Sequence, residues 1–502
     1  MKLNELLSNI DVVSLAGDTT QEITGLATDS RSAEAGNLFI CHEGVKFDSH
    51  SDACIADLMA KGVTAFVVQK DITTTGDACV IYVDNTEIAT ADFYAAWYHH
   101  PADKLTVIGI TGSKGKTTAA HMMTACLRKA GHKTGLIGTN GFDLGNDDVR
   151  ELANTTPAAD DIQKYLAELV EKGFDSVVLE VSSQGMKMHR VDCITFDAAI
   201  WLNLQRGDHI GGFEHPTFED YMFCKAQLLN HAKLGYVHGD DEYAKDFTAL
   251  VHTPYLTFGA DAAFDYTATD IRDDFDEVKE EPGIVFHVTH KDEDLGDFRV
   301  NMPGAFNAWN ALPVIAVSHH LGLPMDAVKN ALNHTRIRGR DDIVYRGKFR
   351  VCVDFAHNGE STAAHLQALR QYRPKRIVCI FGADGNRTKD RRYGMGEAAG
   401  KYADFSIVTS GHNRDEEFKD IAADTEVGLA RAGDPDYIVM EDRKKAIRYA
   451  MEHAQDGDMI TILGLGHEHW QEIKGIKYEY SDIDYVRSLV EKMGLDEEET
   501  PE

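Results

Sequence analysis

The first residues that could do chemistry form a glycine-rich turn, Gly112-Ser113-Lys114-Gly115-Lys116-Thr117-Thr118. It follows an apolar, β-branched run and precedes a segment with helical periodicity, so it joins a buried strand to a helix. Backbone N–H groups in such a turn, together with the helix N-terminus, can hold a phosphate. Lys116 would reach the terminal phosphates of a nucleotide, and the Thr117 hydroxyl would bind Mg²⁺. The earlier glycine of the general phosphate-loop pattern falls on Ile110, so an ordinary tight turn is the alternative.

The elements around this turn predict an α/β protein of three domains. Residues 1–98 mix short β-like runs with helical stretches, which predicts a small N-terminal domain. Residues 99–338 contain the turn and further buried-strand runs, which predicts a central phosphate-loop domain with a parallel sheet. Residues 339–495 alternate strands and helices regularly, as a doubly wound, Rossmann-like domain does. Residues 496–502 are predicted to be an acidic, solvated tail.

Composition and charge exclude several classes of protein. The 502 residues carry a formal charge of −31, which argues against a nucleic-acid partner because binding its phosphates needs a basic face. No stretch of about 18 apolar residues occurs, and the N-terminus lacks a signal-peptide pattern. We therefore expect a cytoplasmic protein without membrane insertion. The eight cysteines are scattered without a Cys-x-x-Cys pair, which predicts buried, reduced thiols.

The turn and the residues after it resemble the Mur ligase family. The form T-G-x-x-G-K-T-T after an apolar strand is similar to these enzymes and to the related folylpolyglutamate synthases. Downstream segments occur in the order found in the UDP-N-acetylmuramyl-tripeptide synthetases of the family. They are Asn154-Thr155-Thr156-Pro157, Leu179-Glu180-Val181-Ser182-Ser183-Gln184-Gly185, Arg190-Val191-Asp192, Asp208-His209, and Phe218-Glu219-Asp220-Tyr221 leading to Lys225. The resemblance covers essentially the whole chain and implies a uridine-nucleotide domain, a phosphate-loop ATPase domain and an amino-acid-binding domain.

The resemblance implies an ATP site with two Mg²⁺ ions. The metal ligands would be Thr117, Glu180, His209 and Lys225, the last carbamylated by CO₂ to N6-carboxylysine. Asn307 and Asn310 resemble the adenine-binding asparagines of the family. The residues that would close over ATP from the C-terminal domain are Arg340, Asp354, Arg387 and Arg392. The catalytic residues that the resemblance implies are Lys116, Glu180, His209, Lys225 and His357.

The resemblance also implies the remaining substrates and the reaction. The residues that would contact the UDP-N-acetylmuramyl-dipeptide are Ser30, His50, Thr155, Thr156, Ser182 and Arg190. The incoming amino acid would meet Arg414, Gly464 and Glu468. The D-glutamate side-chain carboxylate would attack the γ-phosphate of ATP, and the amine of the amino acid would attack the resulting acyl phosphate.

The sequence leaves the amino acid open between two diamino acids. The diaminopimelate enzymes of the family carry Asp-Asn-Pro-Arg where this chain has Gly411-His412-Asn413-Arg414, so only Arg414 stays in register. The run Gly207-Asp208-His209-Ile210-Gly211 followed by Glu214-His215-Pro216 instead resembles lysine-adding members. We therefore expect either diaminopimelate or lysine.

Two other functions are alternatives. A folylpolyglutamate synthase-like ligase shares the ATPase core, but that family begins close to its phosphate loop, whereas a full domain precedes the loop here. A non-catalytic Mur-like subunit of an amidotransferase would carry a cysteine cluster in the central domain, and the cysteines here are dispersed. We expect a monomer whose partners are its small-molecule substrates.

Overall fold

The computed structural model describes residues 1–44, 48–146, 148–206, 210–211, 214–433 and 435–495. These residues fall into two compact units, Met1–Phe258 and Gly259–Glu502. The predicted His209 and the predicted acidic tail, 496–502, lie outside the described residues. Within the described residues, no helix combines the length and the apolar character that crossing a membrane requires. All eight cysteines lie within the described residues and none of them forms a disulfide; every one except the partly exposed Cys193 is buried.

A five-stranded sheet forms the first part of unit 1. Its elements are α1 (Leu3–Leu6), β1 (Ser14–Ala16), β2 (Gly25–Ala27), β3 (Asn37–Ile40), α2 (Asp52–Ala60), β4 (Ala65–Val68), β5 (Cys79–Tyr82) and α3 (Thr86–Trp97). The strand order is β1-β5-β4-β3-β2, with β1 antiparallel to β5 and the other neighbours parallel. Leu38 and Ile40 of β3 pack on one face and Phe39 on the other, because successive strand residues point to opposite sides. The sheet is therefore buried on both faces, as parallel sheets usually are.

The second part of unit 1 contains the glycine-rich turn. Its elements are β6 (Thr106–Thr111), α4 (Lys116–Lys129), β7 (Thr134–Gly138), β8 (Gly141–Asp143), β9 (Val149–Arg150), α5 (Ala159–Glu171), β10 (Ser176–Glu180), α6 (Ser183–Lys187), β11 (Ala198–Trp201), α7 (Phe218–Asn230), β12 (Gly235–His238), α8 (Ala244–Thr248) and β13 (Tyr255–Gly259). Strands β13-β12-β11-β6-β10-β7 run parallel in that order, and β8 and β9 continue the sheet antiparallel. The predicted strand–turn–helix unit is confirmed, and its turn opens at the carboxyl edge of the parallel strands, where such sheets bind ligands.

Unit 2 begins with an antiparallel meander and two helices. These are β14 (Tyr266–Asp276), β15 (Glu281–His290), β16 (Glu293–Val300), α9 (Phe306–His320) and α10 (Met325–His334). The turn between β14 and β15 is acidic, and buried Glu281 next to it pairs with Arg346 at 2.9 Å while Glu280 pairs with Arg350 at 2.5 Å. These ion pairs join the meander to the part of unit 2 that follows it, and the predicted domain boundary at residue 338 stays a prediction.

The remainder of unit 2 is doubly wound. Its elements are β17 (Asp342–Arg346), β18 (Arg350–Asp354), α11 (Gly359–Leu369), β19 (Arg376–Phe381), α12 (Lys389–Tyr402), β20 (Phe405–Val408), α13 (Phe418–Arg431), β21 (Tyr437–Val439), α14 (Arg443–Glu452), β22 (Asp458–Leu463), β23 (Trp470–Ile473), β24 (Ile476–Glu479) and α15 (Asp482–Met493). The sheet order is β17-β18-β22-β19-β20-β21, parallel except for β17, and β23 pairs with β24 in a separate hairpin. The predicted α/β fold class is confirmed.

Candidate active site

The glycine-rich turn is fixed by one asparagine from the neighbouring strand end. Asn203 accepts from the Lys114 N–H at 2.9 Å and donates to the Lys114 carbonyl at 3.1 Å. Gly115 has φ +83°, a conformation that favours glycine, and it starts α4. The Lys116 ammonium folds back over the turn and donates to the Gly112 carbonyl at 2.8 Å. The loop therefore has a shape that can enclose an anion, and the Lys116 ammonium lies beside the space that the anion would fill.

A carboxylate at the end of β10 meets the first turn of α4. Glu180 is fully buried, and its Oε2 accepts from the Thr117 hydroxyl at 2.9 Å and from the Thr139 hydroxyl at 3.0 Å. Its Oε1 accepts from the Thr139 backbone N–H at 2.9 Å. Gly138 leaves room for this carboxylate, because a Cβ there would lie 2.3 Å from Glu180 Oε1. The structure thus brings Thr117 and Glu180 together and adds Thr139, which sequence reasoning missed although it directly follows strand β7.

Lys225 lies on α7 beside the same loop. Its ammonium donates to the Gly112 carbonyl at 2.9 Å and sits 4.7 Å from the centre of the Tyr221 ring. Tyr221 and Ser113 share a hydrogen bond of 2.9 Å, which ties α7 to the loop a second time. Burial, and then the neighbouring charge of Lys116, hold the pKa of Lys225 well below its ordinary value. Burial in this setting therefore favours the neutral, nucleophilic amine over the ammonium.

The residues predicted to contact the nucleotide-linked dipeptide continue from Glu180. The Thr156 hydroxyl bonds to the Glu180 carbonyl at 3.0 Å and to the Ser182 hydroxyl at 3.1 Å. Arg190 donates to the Thr156 carbonyl at 2.7 Å, and the Thr155 hydroxyl shares a 3.1 Å hydrogen bond with Thr139. Four predicted substrate residues therefore form one connected group beside the predicted metal ligands.

A buried histidine behind this group was not singled out from the sequence. His215 is fully buried, with Nδ1 2.7 Å from Asp220 Oδ2 and Nε2 2.9 Å from the Ser183 hydroxyl. Burial, only partly offset by Asp220, lowers the pKa of His215. It braces the start of α6, where Ser182 is the N-cap, against α7. The only sequence signal was its place in the Glu214-His215-Pro216 run.

In the first sheet, the predicted uridine-nucleotide residues lie on separate loops. His50 Nδ1 is 2.8 Å from Asp48 Oδ1, and its Nε2 accepts from the Gln69 N–H at 3.4 Å. The Ser30 carbonyl accepts from Lys61 at 2.8 Å. These contacts fix the loop around His50, and the nucleotide-binding role of Ser30 and His50 stays a prediction.

In unit 2, the predicted ATP residues Asn307 and Asn310 lie on α9, and Asp354 lies at the end of β18. Asn310 donates to Asn307 Oδ1 at 3.1 Å, so these buried asparagines lie together on α9. Asp354, at the end of β18, accepts from the backbone N–H of Asp341 at 2.8 Å and of Ala356 at 2.7 Å.

The predicted cations of this unit differ in their surroundings. Arg340 packs over the Phe355 ring at 4.4 Å, and His357 Nδ1 lies 2.7 Å from the Phe355 carbonyl. Arg387 is exposed on the loop before α12. Arg392 is buried instead, and pairs with Glu416 at 2.6 Å and Asp424 at 3.0 Å, which joins α12 to α13.

The predicted amino-acid residues meet at the carboxyl edge of the C-terminal sheet. Arg414 donates to the Gly385 carbonyl at 3.2 Å and lies 3.6 Å from Asp384 and 3.9 Å from Glu472. Gly464 and Glu468 follow β22, and Glu468 bonds to His412 at 2.8 Å. The buried Arg391 also lies 3.7 Å from Asp384. Guanidinium and carboxylate groups side by side suit a ligand that carries charges of both signs.

Taken together, the parallel sheet, the phosphate loop and the Thr117–Glu180 contact define a nucleotide-binding enzyme of the phosphate-loop class. Comparison with known proteins identifies the family. Residues 110–318 match the Mur ligase middle domain, and residues 339–466 match the Mur ligase glutamate ligase domain. The chain belongs to the Mur ligase family and is an ATP-dependent ligase.

Individual relatives match almost the whole chain. A UDP-N-acetylmuramoyl-L-alanyl-D-glutamate–2,6-diaminopimelate ligase of Caldanaerobacter subterraneus subsp. tengcongensis is 35% identical over 98% of this chain and 99% of its own length. The Aquifex aeolicus enzyme of the same name is 34% identical over 94% of each chain.

Solved structures agree in fold. A UDP-N-acetylmuramoyl-L-alanyl-D-glutamate–2,6-diaminopimelate ligase has a TM-score of 0.68 at 23% identity, covering 99% of this chain and 100% of its own. The Mycobacterium tuberculosis folylpolyglutamate synthase, complexed with ADP and AMPPCP, has a TM-score of 0.61 at 16% identity and covers 82% of this chain and 96% of its own.

Proposed function

We propose that this ligase joins a diamino acid to the D-glutamate side-chain carboxylate of UDP-N-acetylmuramoyl-L-alanyl-D-glutamate, in peptidoglycan precursor synthesis. The two relatives described above are named for this reaction with 2,6-diaminopimelate. The structural observation that carries the proposal is the hydrogen bond from Thr117 to buried Glu180, next to the phosphate loop and Lys225. This arrangement suits phosphoryl transfer to a carboxylate acceptor.

The oxygen donors around Glu180 fit Mg²⁺. The Thr117 and Thr139 hydroxyls and the Glu180 carboxylate are the hard ligands that this ion prefers. Thr117 and Glu180 would hold one ion together with the predicted ligand His209. When bound, Mg²⁺ would offset the negative charge between the phosphates and the attacking carboxylate.

The setting of Lys225 supports the predicted carbamylation. The lowered pKa favours the neutral amine, whose lone pair can attack the carbon of CO₂. An N–C bond forms, one C=O π bond of CO₂ opens onto its oxygen, and the nitrogen releases a proton. The product is a carbamate, which carries a negative charge and two oxygens that the unmodified amine lacks. Lys225 would then be a ligand for a second Mg²⁺.

The reaction would proceed in two steps. A carboxylate oxygen of D-glutamate bonds to the γ-phosphorus while the bond to ADP breaks, which gives an acyl phosphate. Lys116 offsets the charge on the transferring phosphoryl group, and Thr155, Thr156, Ser182 and Arg190 orient the acceptor. The amine of the amino acid then bonds to the carbonyl carbon, phosphate leaves, and the amine nitrogen gives up a proton.

The charges around Arg414 support a diamino acid as the substrate. Arg414 suits a carboxylate, and the neighbouring Asp384, Glu468 and Glu472 suit ammonium groups. Diaminopimelate would use both kinds of contact at its far end, whereas lysine would use only the carboxylates. The names of the relatives favour diaminopimelate.

We further propose that the protein acts as a cytoplasmic monomer, which light scattering after size-exclusion chromatography would test.

Phosphate release tests the function directly. Purified protein is given ATP, Mg²⁺ and the UDP-N-acetylmuramyl-dipeptide, with diaminopimelate, lysine or ornithine in parallel. We expect release that depends on the dipeptide and on diaminopimelate or lysine. Lys116→Ala should abolish it, whereas Lys129→Ala, an exposed lysine on the same helix, should not. Release with a folate and glutamate but not with the dipeptide would support the folylpolyglutamate synthase alternative instead.

A further inference from the structure

His412 occupies a position between a backbone donor and a carboxylate. The Glu472 backbone N–H donates to His412 Nδ1 at 3.0 Å. Nδ1 therefore acts as an acceptor and carries no proton, so the ring proton is on Nε2. Nε2 lies 2.8 Å from Glu468 Oε2 and donates to it. The backbone of β23, which contains Glu472, thus selects the tautomer that presents an N–H to Glu468.

The ring of His412 is held firmly in this orientation. It is buried and packs against the Trp470 ring at a centroid distance of 4.3 Å. The loop that carries it is clipped to the same segment, because the Gln471 amide donates to the Gly411 carbonyl at 2.9 Å and to the Ser410 hydroxyl at 3.0 Å. His412 consequently acts as a fixed donor rather than as a mobile side chain.

We infer that His412 is a positioning residue for amino-acid recognition, acting through Glu468. This inference rests on the proposed function. His412 takes up Oε2 of Glu468, which fixes the rotamer of the carboxylate and leaves Oε1 to accept from an ammonium of the incoming amino acid. Because the donor is an uncharged imidazole, the pair keeps the full negative charge of Glu468, whereas an arginine or lysine at position 412 would cancel it.

Two substitutions separate the positioning role from a purely structural one. The amide nitrogen of glutamine reaches about as far as Nε2, so His412→Gln can still donate to Glu468. The amide of asparagine reaches only about as far as Nδ1, so His412→Asn can keep the contact with the Glu472 N–H but loses the one with Glu468. Only the second variant should leave the Glu468 carboxylate without its donor.

The measurements are the KM values for the amino acid, ATP and the dipeptide nucleotide, together with kcat and Tm. We expect His412→Asn to raise the KM for the amino acid about tenfold, the factor that corresponds to about 1.4 kcal/mol. The other two KM values, kcat and Tm should stay close to wild type, and His412→Gln should resemble wild type throughout. In a Glu468→Gln background, which itself weakens amino-acid binding, His412→Asn should add little.

Three outcomes would overturn the inference. Equal amino-acid KM values for His412→Asn and wild type would mean that Glu468 needs no donor. An equal rise of the amino-acid KM in His412→Asn and His412→Gln, together with a lowered Tm, would show that His412 only stabilises the structure. Independent effects of His412→Asn and Glu468→Gln would show that His412 does not act through Glu468. If wild type turns over no amino acid at all, the proposed function fails first, and titration of the amino acids by calorimetry would still test His412 through binding.

Discussion

A fully buried ion pair next to the segments that carry Arg414 and Glu468 gives the sharpest stability prediction. Arg443 and Asp482 have 1% and 0% of their side chains exposed, and two hydrogen bonds of 2.8 and 2.6 Å join them. Burial opposes the charge on Arg443, but attraction to Asp482 outweighs it and raises the pKa of Arg443. The same guanidinium donates to the Ser410 carbonyl at 3.2 Å and to the Leu463 carbonyl at 2.9 Å.

Asp482→Asn keeps the shape of the side chain but leaves the charge of Arg443 without compensation. Removing one partner of a buried pair typically costs about 3–5 kcal/mol. At roughly 2–4 °C per kcal/mol for a unit of this size, Tm should fall by about 6–20 °C. Because Ser410 and Leu463 begin the two segments that carry Arg414 and Glu468, the KM for the amino acid should also rise.

Differential scanning calorimetry and steady-state kinetics measure these effects. Glu397→Gln is the matched control, because Glu397 pairs with Lys401 at 2.7 Å on the exposed surface of α12 and should leave Tm nearly unchanged. The double variant Arg443→Met with Asp482→Leu should recover much of the lost stability, since it removes both buried charges. Two results would refute the reasoning: an Asp482→Asn protein whose free energy of unfolding is within about 1 kcal/mol of wild type, or a double variant that is less stable than Asp482→Asn.

Three further predictions concern ionisable groups. Removing dissolved CO₂ should lower kcat and bicarbonate should restore it in wild type but not in Lys225→Arg; an unchanged kcat in rigorously degassed buffer would argue against carbamylation. Glu180→Gln should lower kcat by roughly 100-fold or more with little change in Tm, because it removes a proposed ligand of Mg²⁺; near-normal turnover would remove Glu180 from the metal site. Burial raises the pKa of Asp341 from 3.8 to about 6, so its ionisation costs stability as the pH rises through about 4 to 6. Asp341→Asn should therefore raise Tm relative to wild type at pH 7–8, and the gain should disappear near pH 4; a gain independent of pH would contradict this cause.

Much of the fold could be predicted from the periodicity of apolar residues and from the positions of glycine and proline. The apolar runs around residues 105–110, 176–181 and 376–382 contain β6, β10 and β19, and the glycine turn starts α4 where expected. The order of motifs indicated the family, which the comparisons confirm. The sequence does not predict the hairpin of β23 and β24, because neither four-residue strand has a core-facing apolar pattern. The polar Gln471 is the buried residue of β23, and β24 is exposed throughout.

The candidate site divides differently. Lys116, Thr117 and Glu180 could be picked out because each stands at a strand end or in a glycine turn. Thr139 could not, since its bond to Glu180 joins residues 41 positions apart and a threonine after a strand is common. His412 looked like a departure from the family pattern, and its partner Glu468 lies 56 residues away.

The α/β class, the phosphate loop and the family can be recognised in the sequence, because they depend on residue types at short spacing. Which side chains share a proton or pair their charges follows from the folded structure. It made Lys225 a buried amine, committed Arg392 to Glu416 and Asp424, and fixed the tautomer of His412. Those properties depend on burial and on partners brought together by strand order, and chain spacing does not encode either one.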